Sequence, residues 1–205
     1  MLLCDIGNTS YSFLDEERAY KESVHSFNPS SIQERLFYIS VNTQVNAKLQ
    51  DLPNWINLES YIDRSNYYET MGIDRVVVCE GVRNGVIIDA GSAVTVDVVR
   101  DGVFEGGFIY PGRAAMQKTY ENISDALAYS FNFELNLDKM PKNSQDAISY
   151  GYLKTLFCEV NSYGLDIILT GGDALEFKKI FKDAKVETQL IFNSMKKIIQ
   201  KADIC

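Results

Sequence analysis

Residues 2–13, LLCDIGNTSYSF, contain a short apolar run, an aspartate, a glycine-asparagine pair and a second run in which apolar and polar residues alternate. The apolar run predicts a buried strand over Leu2–Asp5, and the alternation predicts its hairpin partner over Tyr11–Leu14. The glycine-asparagine pair between them is typical of a tight turn. The stretch therefore predicts a β-hairpin with a carboxylate, that of Asp5, at the end of its buried strand.

The same pattern returns in residues 86–99, VIIDAGSAVTVDVV, where Asp89 and Gly91 occupy the places of Asp5 and Gly7. An internal duplication is the simplest explanation of two such stretches in one chain. The other elements predicted for the first half are strands over Arg18–Phe27, residues 37–41 and Trp55–Leu58, a helix after Pro29 and a helix over Thr43–Leu49. Those predicted for the second half are a strand over residues 102–112, helices over Arg113–Asn122 and Ser144–Glu159, a strand over Asp166–Thr170 and a helix from Asp173.

The repeat predicts two α/β domains, residues 1–80 and residues 81–205. The chain has 205 residues and a hydrophobic content of 46%, which is enough for buried cores. No low-complexity linker separates the halves, so this boundary follows from the repeat.

The charge balance restricts the partners of the protein. With 28 acidic and 20 basic residues the net charge is −8, and the resulting field repels nucleic acid and acidic membranes. We expect neither as a partner. Any phosphate must then be held locally, by backbone N–H groups, hydroxyls or a metal ion.

The N-terminus and the cysteines indicate a cytoplasmic protein. Asp5 interrupts the apolar start, so no secretory signal fits, and no apolar run reaches the length of a membrane span. The cysteines are widely spaced and lack a metal-ligand pattern, which favours reduced thiols. His25 is the only histidine and we expect it at a surface or satisfied strand position, so the sequence gives little support to Ser/His catalysis or a multi-histidine metal site. The four cysteines are Cys4, Cys79, Cys158 and Cys205.

The duplicated hairpin suggests phosphate chemistry. A glycine in the turn lets backbone N–H groups approach a ligand closely. An aspartate at the end of the strand is an oxygen ligand for the cation that neutralises a transferring phosphoryl group. A third stretch, ILTGGDALEF at residues 168–177, has Thr170 at a strand end and two glycines that leave room for a ring or a phosphate. The chain contains neither a Walker A loop nor a GxGxxG dinucleotide motif.

These motifs resemble those of the sugar kinase, actin and Hsp70 superfamily, and within it those of type III pantothenate kinases. The resemblance covers most of the chain. Four ordered motifs carry it: Asp5-Ile-Gly-Asn-Thr as the first phosphate motif, Asp89-Ala-Gly-Ser-Ala-Val-Thr-Val-Asp97 as the second, Thr170-Gly-Gly-Asp173 as the adenosine motif, and Gly72-Ile-Asp-Arg75 as the pantothenate motif. The segments at residues 106–112 and 143–151 also fit the family.

The resemblance implies a fold and an activity. The fold is α/β, with two duplicated ribonuclease-H-like domains of the actin-like ATPase superfamily and ATP in the cleft between them. The first domain would carry the first phosphate motif and, at its end, the pantothenate motif. The activity is ATP-dependent phosphorylation of pantothenate, the first step towards coenzyme A.

The resemblance also implies roles for individual residues. Asp74 would be the general base, Asp5 would orient Mg²⁺ through water, and Asp89 would hold a monovalent cation, K⁺ or NH₄⁺. ATP would contact Asp5, Ile6, Gly7, Asn8, Thr9, Ser10, Tyr11, Ser12, Gly91, Ser92, Thr170, Gly171 and Gly172. Pantothenate would contact Tyr68, Gly72, Ile73, Asp74, Arg75 and Ser144.

The family is homodimeric, so the resemblance implies a homodimer in which the neighbouring subunit contributes Ser144 to a substrate site at the interface. The loop before Gly72 is shorter than is usual in the family and offers both Tyr67 and Tyr68 as the substrate-contacting tyrosine, of which we prefer Tyr68. Two alternatives stay open: a non-catalytic accessory or regulatory relative, and another small-molecule kinase or a polyphosphate phosphatase of the superfamily.

Overall fold

The computed structural model describes residues 1–16 and 18–204, and these form two compact units. Of the described residues, unit 1 contains those within Met1–Val82 and residues 189–204, and unit 2 contains Arg83–Thr188. The boundary lies within a few residues of the predicted one. The C-terminal segment was assigned to the second domain by the sequence, whereas in the structure it packs in unit 1.

The sheet of unit 1 has five strands in the order β3-β2-β1-β4-β5. The strand β1 pairs with β2 antiparallel and with β4 parallel, and β4 pairs with β5 parallel. The central strands are apolar almost throughout because both faces of the sheet are covered, whereas the edge strand β3 is charged and exposed. The five strands are β1 Leu2–Ile6, β2 Ser10–Asp15, β3 Arg18–Ser23, β4 Leu36–Ser40 and β5 Trp55–Asn57.

Three helices within the described residues complete unit 1. The helices α2 and α6 pack against each other, and α6 also lies against β1. An aromatic cluster fills the other core of the unit, where Tyr11, Phe13 and Trp55 are buried. The helices are α1 Thr43–Leu49, α2 Ile73–Gly81 and α6 Leu190–Ala202, and short 3₁₀ turns occur at Pro29–Ser31 and Leu58–Tyr61.

Unit 2 repeats the topology of unit 1. Its sheet order, read from the third strand, is β8-β7-β6-β9-β10, again with an antiparallel meander on one side of the first strand and parallel strands on the other. This confirms, at the level of topology, the repeat predicted from the two Asp-x-Gly stretches. The strands are β6 Gly85–Ala90, β7 Ala93–Arg100, β8 Val103–Pro111, β9 Ile167–Thr170 and β10 Lys185–Val186, and the helices are α3 Arg113–Ile123, α4 Ser144–Ser162 and α5 Ala174–Ile180, with a 3₁₀ turn at Asp125–Leu127.

The helix predicted after Pro29 is wrong. Only Pro29–Ser31 form a single 3₁₀ turn, and the chain then runs extended into β4. The side chain of Asn54 explains this, because its Nδ2 donates to the carbonyl oxygens of Ile32 at 2.9 Å and Glu34 at 3.0 Å. These bonds satisfy the backbone in an extended conformation, so a tertiary contact overrides the local helical signal.

The strand β10 and the helix α6 are among the elements that have no counterpart in the prediction. The third strand, predicted over Arg18–Phe27, ends at Ser23. Buried residues of α6 recur at helical spacing, at Phe192, Met195 and Ile199, and this pattern would have predicted the helix.

Candidate active site

The first phosphate turn joins β1 to β2. It is closed by the N–H of Gly7, which donates to the Ser10 carbonyl oxygen at 3.0 Å. Asn42, the N-cap of α1, donates from Nδ2 to the Asn8 carbonyl oxygen at 3.4 Å. The side chains of Asn8 and Thr9 are exposed at the tip of this turn. An amide and a hydroxyl are therefore presented to solvent beside a main chain that is held in place.

The residues that flank this turn differ in what they can offer a ligand. Asp5 is half-buried one residue before the end of β1, and Ser12, its partner on β2, is half-buried as well. The side chains of Ile6 and Tyr11 lie in the core, with exposed fractions of 0% and 1%. The predicted ATP contacts of Ile6 and Tyr11 are thus restricted to their main-chain atoms.

The second phosphate turn, between β6 and β7, has the same form and is one residue shorter. The N–H of Gly91 donates to the Ala93 carbonyl oxygen at 3.0 Å, and Ser92 is exposed. Asp89 is half-buried one residue before the end of β6. The polar groups offered at this turn are therefore a hydroxyl, backbone N–H groups and a carboxylate.

The predicted adenosine motif lies beside this turn. Thr170, at the end of β9, pairs with Asp89 across the parallel strands. Gly171 has φ +87°, and a Cβ placed on it would collide with Asp89 Oδ1 and the Ala90 carbonyl oxygen. The N–H of Asp173 donates to the same Ala90 oxygen at 2.8 Å. The structure thus brings together the unit 2 residues that were predicted to bind ATP and the cation.

The start of α3 also lies at the second phosphate turn. A Cβ on Gly112 would collide with the carbonyl oxygens of Gly91 and Ser92. The next residue, Arg113, forms an ion pair with Asp173, with Nη2 3.2 Å from Oδ1. Neither Arg113 nor Asp173 was predicted to bind a ligand, although Asp173 belongs to the quoted adenosine motif.

The pantothenate motif starts helix α2. The carboxylate of Asp74 lies in the first turn, where the positive end of the helix dipole favours it, and its Oδ1 accepts the N–H of Arg75 at 2.8 Å. A Cβ on Gly72 would collide with that Oδ1, so the glycine makes room for the carboxylate. Arg75 and Ile73, on either side of Asp74, are both buried, with exposed fractions of 6% and 4%.

The structure distinguishes the two candidate tyrosines. Tyr68 accepts a hydrogen bond from Arg75 Nη1 at 2.5 Å and is 44% exposed. The Tyr67 hydroxyl instead donates to Glu80 at 3.0 Å, near the other end of α2. Tyr68 therefore bonds to Arg75 in the first turn of the helix, and Tyr67 bonds to Glu80 in its last turn.

Ser144 is exposed at the first position of α4. The helix start is well ordered by hydrogen bonds around Asp146, whose carboxylate accepts from Asn132 Nδ2 at 2.8 Å and from Asn143 Nδ2 at 2.7 Å. These bonds hold the pKa of Asp146 below its usual value. These hydrogen bonds join the first turn of α4, which includes Ser144, to the loop around Asn132.

A buried tyrosine anchors the segment that leads into α3. Tyr152, on α4, donates its hydroxyl to the Pro111 carbonyl oxygen at 2.7 Å, and the Tyr110 hydroxyl donates to the Tyr152 carbonyl oxygen at 3.1 Å. Burial, and next the neighbouring Tyr110, raise the pKa of Tyr152 well above its usual value. Tyr152 thus stays protonated and fixes the chain just before Gly112.

Within the described residues the cysteines are not joined by disulfides. Cys4 and Cys79 are buried thiols and Cys158 is an exposed one, while Cys205 lies outside the described residues. Burial, together with the nearby Asp5, raises the pKa of Cys4 well above its usual value, which favours the protonated thiol. His25 is exposed in a turn.

The donors at the two turns suit hard cations. Within residues 1–16 and 18–204 no three His, Cys, Asp or Glu side chains cluster as an all-protein metal cage. Mg²⁺ is commonly held by one or two carboxylates with water and substrate phosphates, which fits a single carboxylate such as Asp5. Asp89, with the Ala90 carbonyl oxygen nearby, offers the oxygen donors that a monovalent cation needs.

Comparison with known proteins identifies the family. The sequence profile of the type III pantothenate kinases matches residues 31–164. A type III pantothenate kinase from Sulfurimonas denitrificans is 58% identical over 205 residues, covering 100% of both chains. The chain belongs to the type III pantothenate kinase family. The recognition made from the four motifs is thereby confirmed.

Two solved structures extend the comparison of this kinase family member. A Campylobacter jejuni crystal structure, named as a conserved Baf family transcriptional activator, has a TM-score of 0.89 and 36% identity and covers 100% of both chains. Component A of the (R)-2-hydroxyglutaryl-CoA dehydratase of Acidaminococcus fermentans has a TM-score of 0.50 and 13% identity, covering 99% of this chain and 98% of that one, which shows likeness of fold alone. The predicted α/β, actin-like ATPase fold is confirmed.

None of the helices within the described part of the chain is long and apolar enough to cross a bilayer.

Proposed function

We propose that this chain transfers the γ-phosphoryl group of ATP to the primary hydroxyl of pantothenate, giving 4'-phosphopantothenate in the first step of coenzyme A biosynthesis. The observation that carries the proposal is the cluster at the start of α2, where Asp74, Arg75 and Tyr68 are held together. Membership of the type III pantothenate kinase family supports it across the whole chain.

The acceptor is bound by the residues at this helix start. The guanidinium of Arg75 is a planar, permanently charged donor that matches a carboxylate, and pantothenate carries one carboxylate. Tyr68 contacts Arg75 and is partly exposed, so its hydroxyl can reach the same ligand. Ser144 of a neighbouring subunit contributes a further hydroxyl in a homodimer.

The reaction needs one proton acceptor. The hydroxyl oxygen of pantothenate forms a bond to the γ-phosphorus, the bond from that phosphorus to the β-phosphate oxygen breaks, and ADP leaves. Asp74 accepts the hydroxyl proton, as a carboxylate within reach of the acceptor can. Its position in the first turn of α2, beside the arginine that binds the carboxylate, orients it relative to the substrate.

ATP is held by main-chain and hydroxyl groups rather than by a basic surface. The turn residues Gly7, Asn8 and Thr9 bind phosphate oxygens, as do Gly91 and Ser92. The remaining ATP contacts are Asp5, Ile6, Ser10, Tyr11 and Ser12 on the first hairpin and Thr170, Gly171 and Gly172 on the adenosine motif.

Two cations would complete the site. Asp5 would orient Mg²⁺ through water, and this ion would supply positive charge to the phosphates; Asp89 would hold K⁺ or NH₄⁺. The half-buried carboxylates at equivalent places of the two hairpins support both assignments.

The test is ADP release from ATP by the purified protein in Mg²⁺ and K⁺, with and without pantothenate, repeated with Na⁺ in place of K⁺. We expect turnover that depends on both pantothenate and K⁺. Asp74→Asn should lower turnover by roughly 10²–10⁴-fold with ATP binding retained. The control Asp51→Asn changes an exposed carboxylate elsewhere in unit 1 and should keep the wild-type rate. An unchanged rate for Asp74→Asn would remove it from the mechanism.

A regulatory role is the second candidate, because the Campylobacter jejuni neighbour carries the name of a transcriptional activator. The net charge of −8 opposes direct contact with DNA, so such a role would act through another protein. The same assay separates the two: a folded protein without ATP turnover supports the regulatory role, and turnover without pantothenate supports another acceptor.

The two tyrosines provide a matched pair of variants. Tyr68→Phe removes the hydroxyl bonded to Arg75 and should raise the KM for pantothenate about 5- to 10-fold, the value of one hydrogen bond. Tyr67→Phe removes the bond to Glu80 and should leave that KM within about twofold. Equal effects of the two changes on KM would contradict the assignment of Tyr68.

A further inference from the structure

The second phosphate turn lies beside Arg113, a residue that none of the four motifs includes. Gly112 lies so close to the carbonyl oxygens of Gly91 and Ser92 that no side chain fits between them. The residue before it, Pro111, is held by Tyr152, whose hydroxyl donates to the Pro111 carbonyl oxygen. Arg113, the next residue, therefore lies beside a turn that is proposed to bind phosphate.

The guanidinium of Arg113 extends from this point towards the adenosine motif. Its Nη2 donates to Asp173 Oδ1 at 3.2 Å, and Asp173 is the last residue of the adenosine motif, which begins at the end of β9. Its Nε is buried and has no hydrogen-bond partner within the part of the chain that the structure describes. The group is thus held by one carboxylate while at least one of its donors is unused, which is costly unless a ligand pairs with it.

The charges around it favour an anionic ligand. The two phosphate turns and the adenosine motif contain no lysine or arginine, and they contribute the carboxylates of Asp5, Asp89 and Asp173. In a chain with a net charge of −8, a positive side chain beside these turns would strengthen the binding of a polyphosphate. A fixed guanidinium fork is the side chain best matched to phosphate oxygens.

We propose that Arg113 binds the phosphate chain of the nucleotide, and that Asp173 is the positioning residue that holds its guanidinium between the second phosphate turn and the adenosine motif. This inference rests on the proposed function, since it assigns a further residue to the same ATP site. The other explanation is an ion pair that only ties the start of α3 to the start of α5.

Direct binding measurements separate these explanations without using turnover. The dissociation constants of ATP, ADP and adenosine are measured by calorimetry for the wild type, Arg113→Gln and Asp173→Asn. If Arg113 binds phosphate, Arg113→Gln weakens ATP and ADP by roughly 10- to 100-fold and adenosine by less than about twofold, as expected for a lost charge-assisted hydrogen bond.

Asp173→Asn provides the contrast, because it removes the carboxylate and retains the guanidinium. ATP and ADP should bind it far more tightly than they bind Arg113→Gln. If the ion pair only joins the two helices, the two variants lose the same interaction and weaken all three ligands equally, which overturns the proposal.

Arg100→Gln is the matched control, since Arg100 forms an exposed ion pair with Glu105 at 3.0 Å in the same unit. Its nucleotide affinities should equal those of the wild type. If Arg113→Gln does not fold, Arg113→Lys takes its place: it keeps the charge but loses the fork, and an ADP affinity equal to that of the wild type would overturn the proposal.

The test also distinguishes failure of this inference from failure of the proposed function. A wild-type protein that does not bind ATP overturns both. If the wild type and Arg113→Gln bind ATP with equal affinity, the role of Arg113 is overturned and the kinase assignment is unaffected.

Discussion

Gly171→Ala tests whether the end of β9 has to approach Asp89 as closely as the structure shows. Gly171 has φ +87°, a conformation that alanine adopts only at a cost. A Cβ at this position would collide with Asp89 Oδ1 and with the Ala90 carbonyl oxygen. The substitution therefore strains the backbone and also displaces the carboxylate proposed to hold the monovalent cation.

The expected cost follows from these two terms. The left-handed conformation costs about 1–2 kcal/mol for a residue with a Cβ. Overpacking against a carboxylate and a carbonyl adds about 1–3 kcal/mol. The sum, about 2–5 kcal/mol, corresponds to a fall in Tm of about 4–20 °C for a chain of this size.

Thermal unfolding followed by circular dichroism measures this difference, and Gly172→Ala is the control for stability. Gly172 has no positive φ, and a Cβ on it would meet nothing within 4 Å. Both substitutions reduce the entropy of the unfolded chain equally, so their difference in Tm reports strain in the folded state. Equal Tm values for the two variants would refute the reasoning. The K⁺ dependence of Gly171→Ala should also weaken, because Asp89 has to move.

Two further predictions concern positioning groups in unit 2. Tyr152→Phe removes the hydrogen bond to the Pro111 carbonyl oxygen and should lower the free energy of unfolding, measured by urea titration, by about 1 kcal/mol. Tyr150 is a neighbouring half-buried tyrosine, and Tyr150→Phe should change the free energy of unfolding by less than half as much. The pKa of Asp146 is lowered chiefly by the Asn132 side chain, so its contribution to stability is present above the pKa of the unfolded chain and is lost as the pH falls through the lower folded-state pKa. Asn132→Ala should raise that pKa towards its usual value in a carbon-detected NMR titration, and an unchanged pKa would contradict this cause.

Much of the fold follows from local patterns. The alternation and the glycine turns after Asp5 and Asp89 predicted both hairpins, because strand periodicity and turn chemistry depend on residues close in sequence. The helix over Thr43–Leu49 was predicted with the observed bounds, and its N-cap Asn42 accepts the N–H of Val45. The helix expected after Pro29 failed since Asn54, distant in sequence, bonds that backbone in an extended form.

The sequence by itself determined the family, the two phosphate turns and the set of candidate residues, because motif residues and their order are properties of the chain. Only the tertiary structure decided which tyrosine lies with Arg75 and that α6 packs in unit 1. It alone brought Arg113 to Asp173, since that contact joins residues far apart in the chain. The physical reason is that turns and periodicity are set by neighbours in sequence, whereas side-chain partners are set by packing between elements.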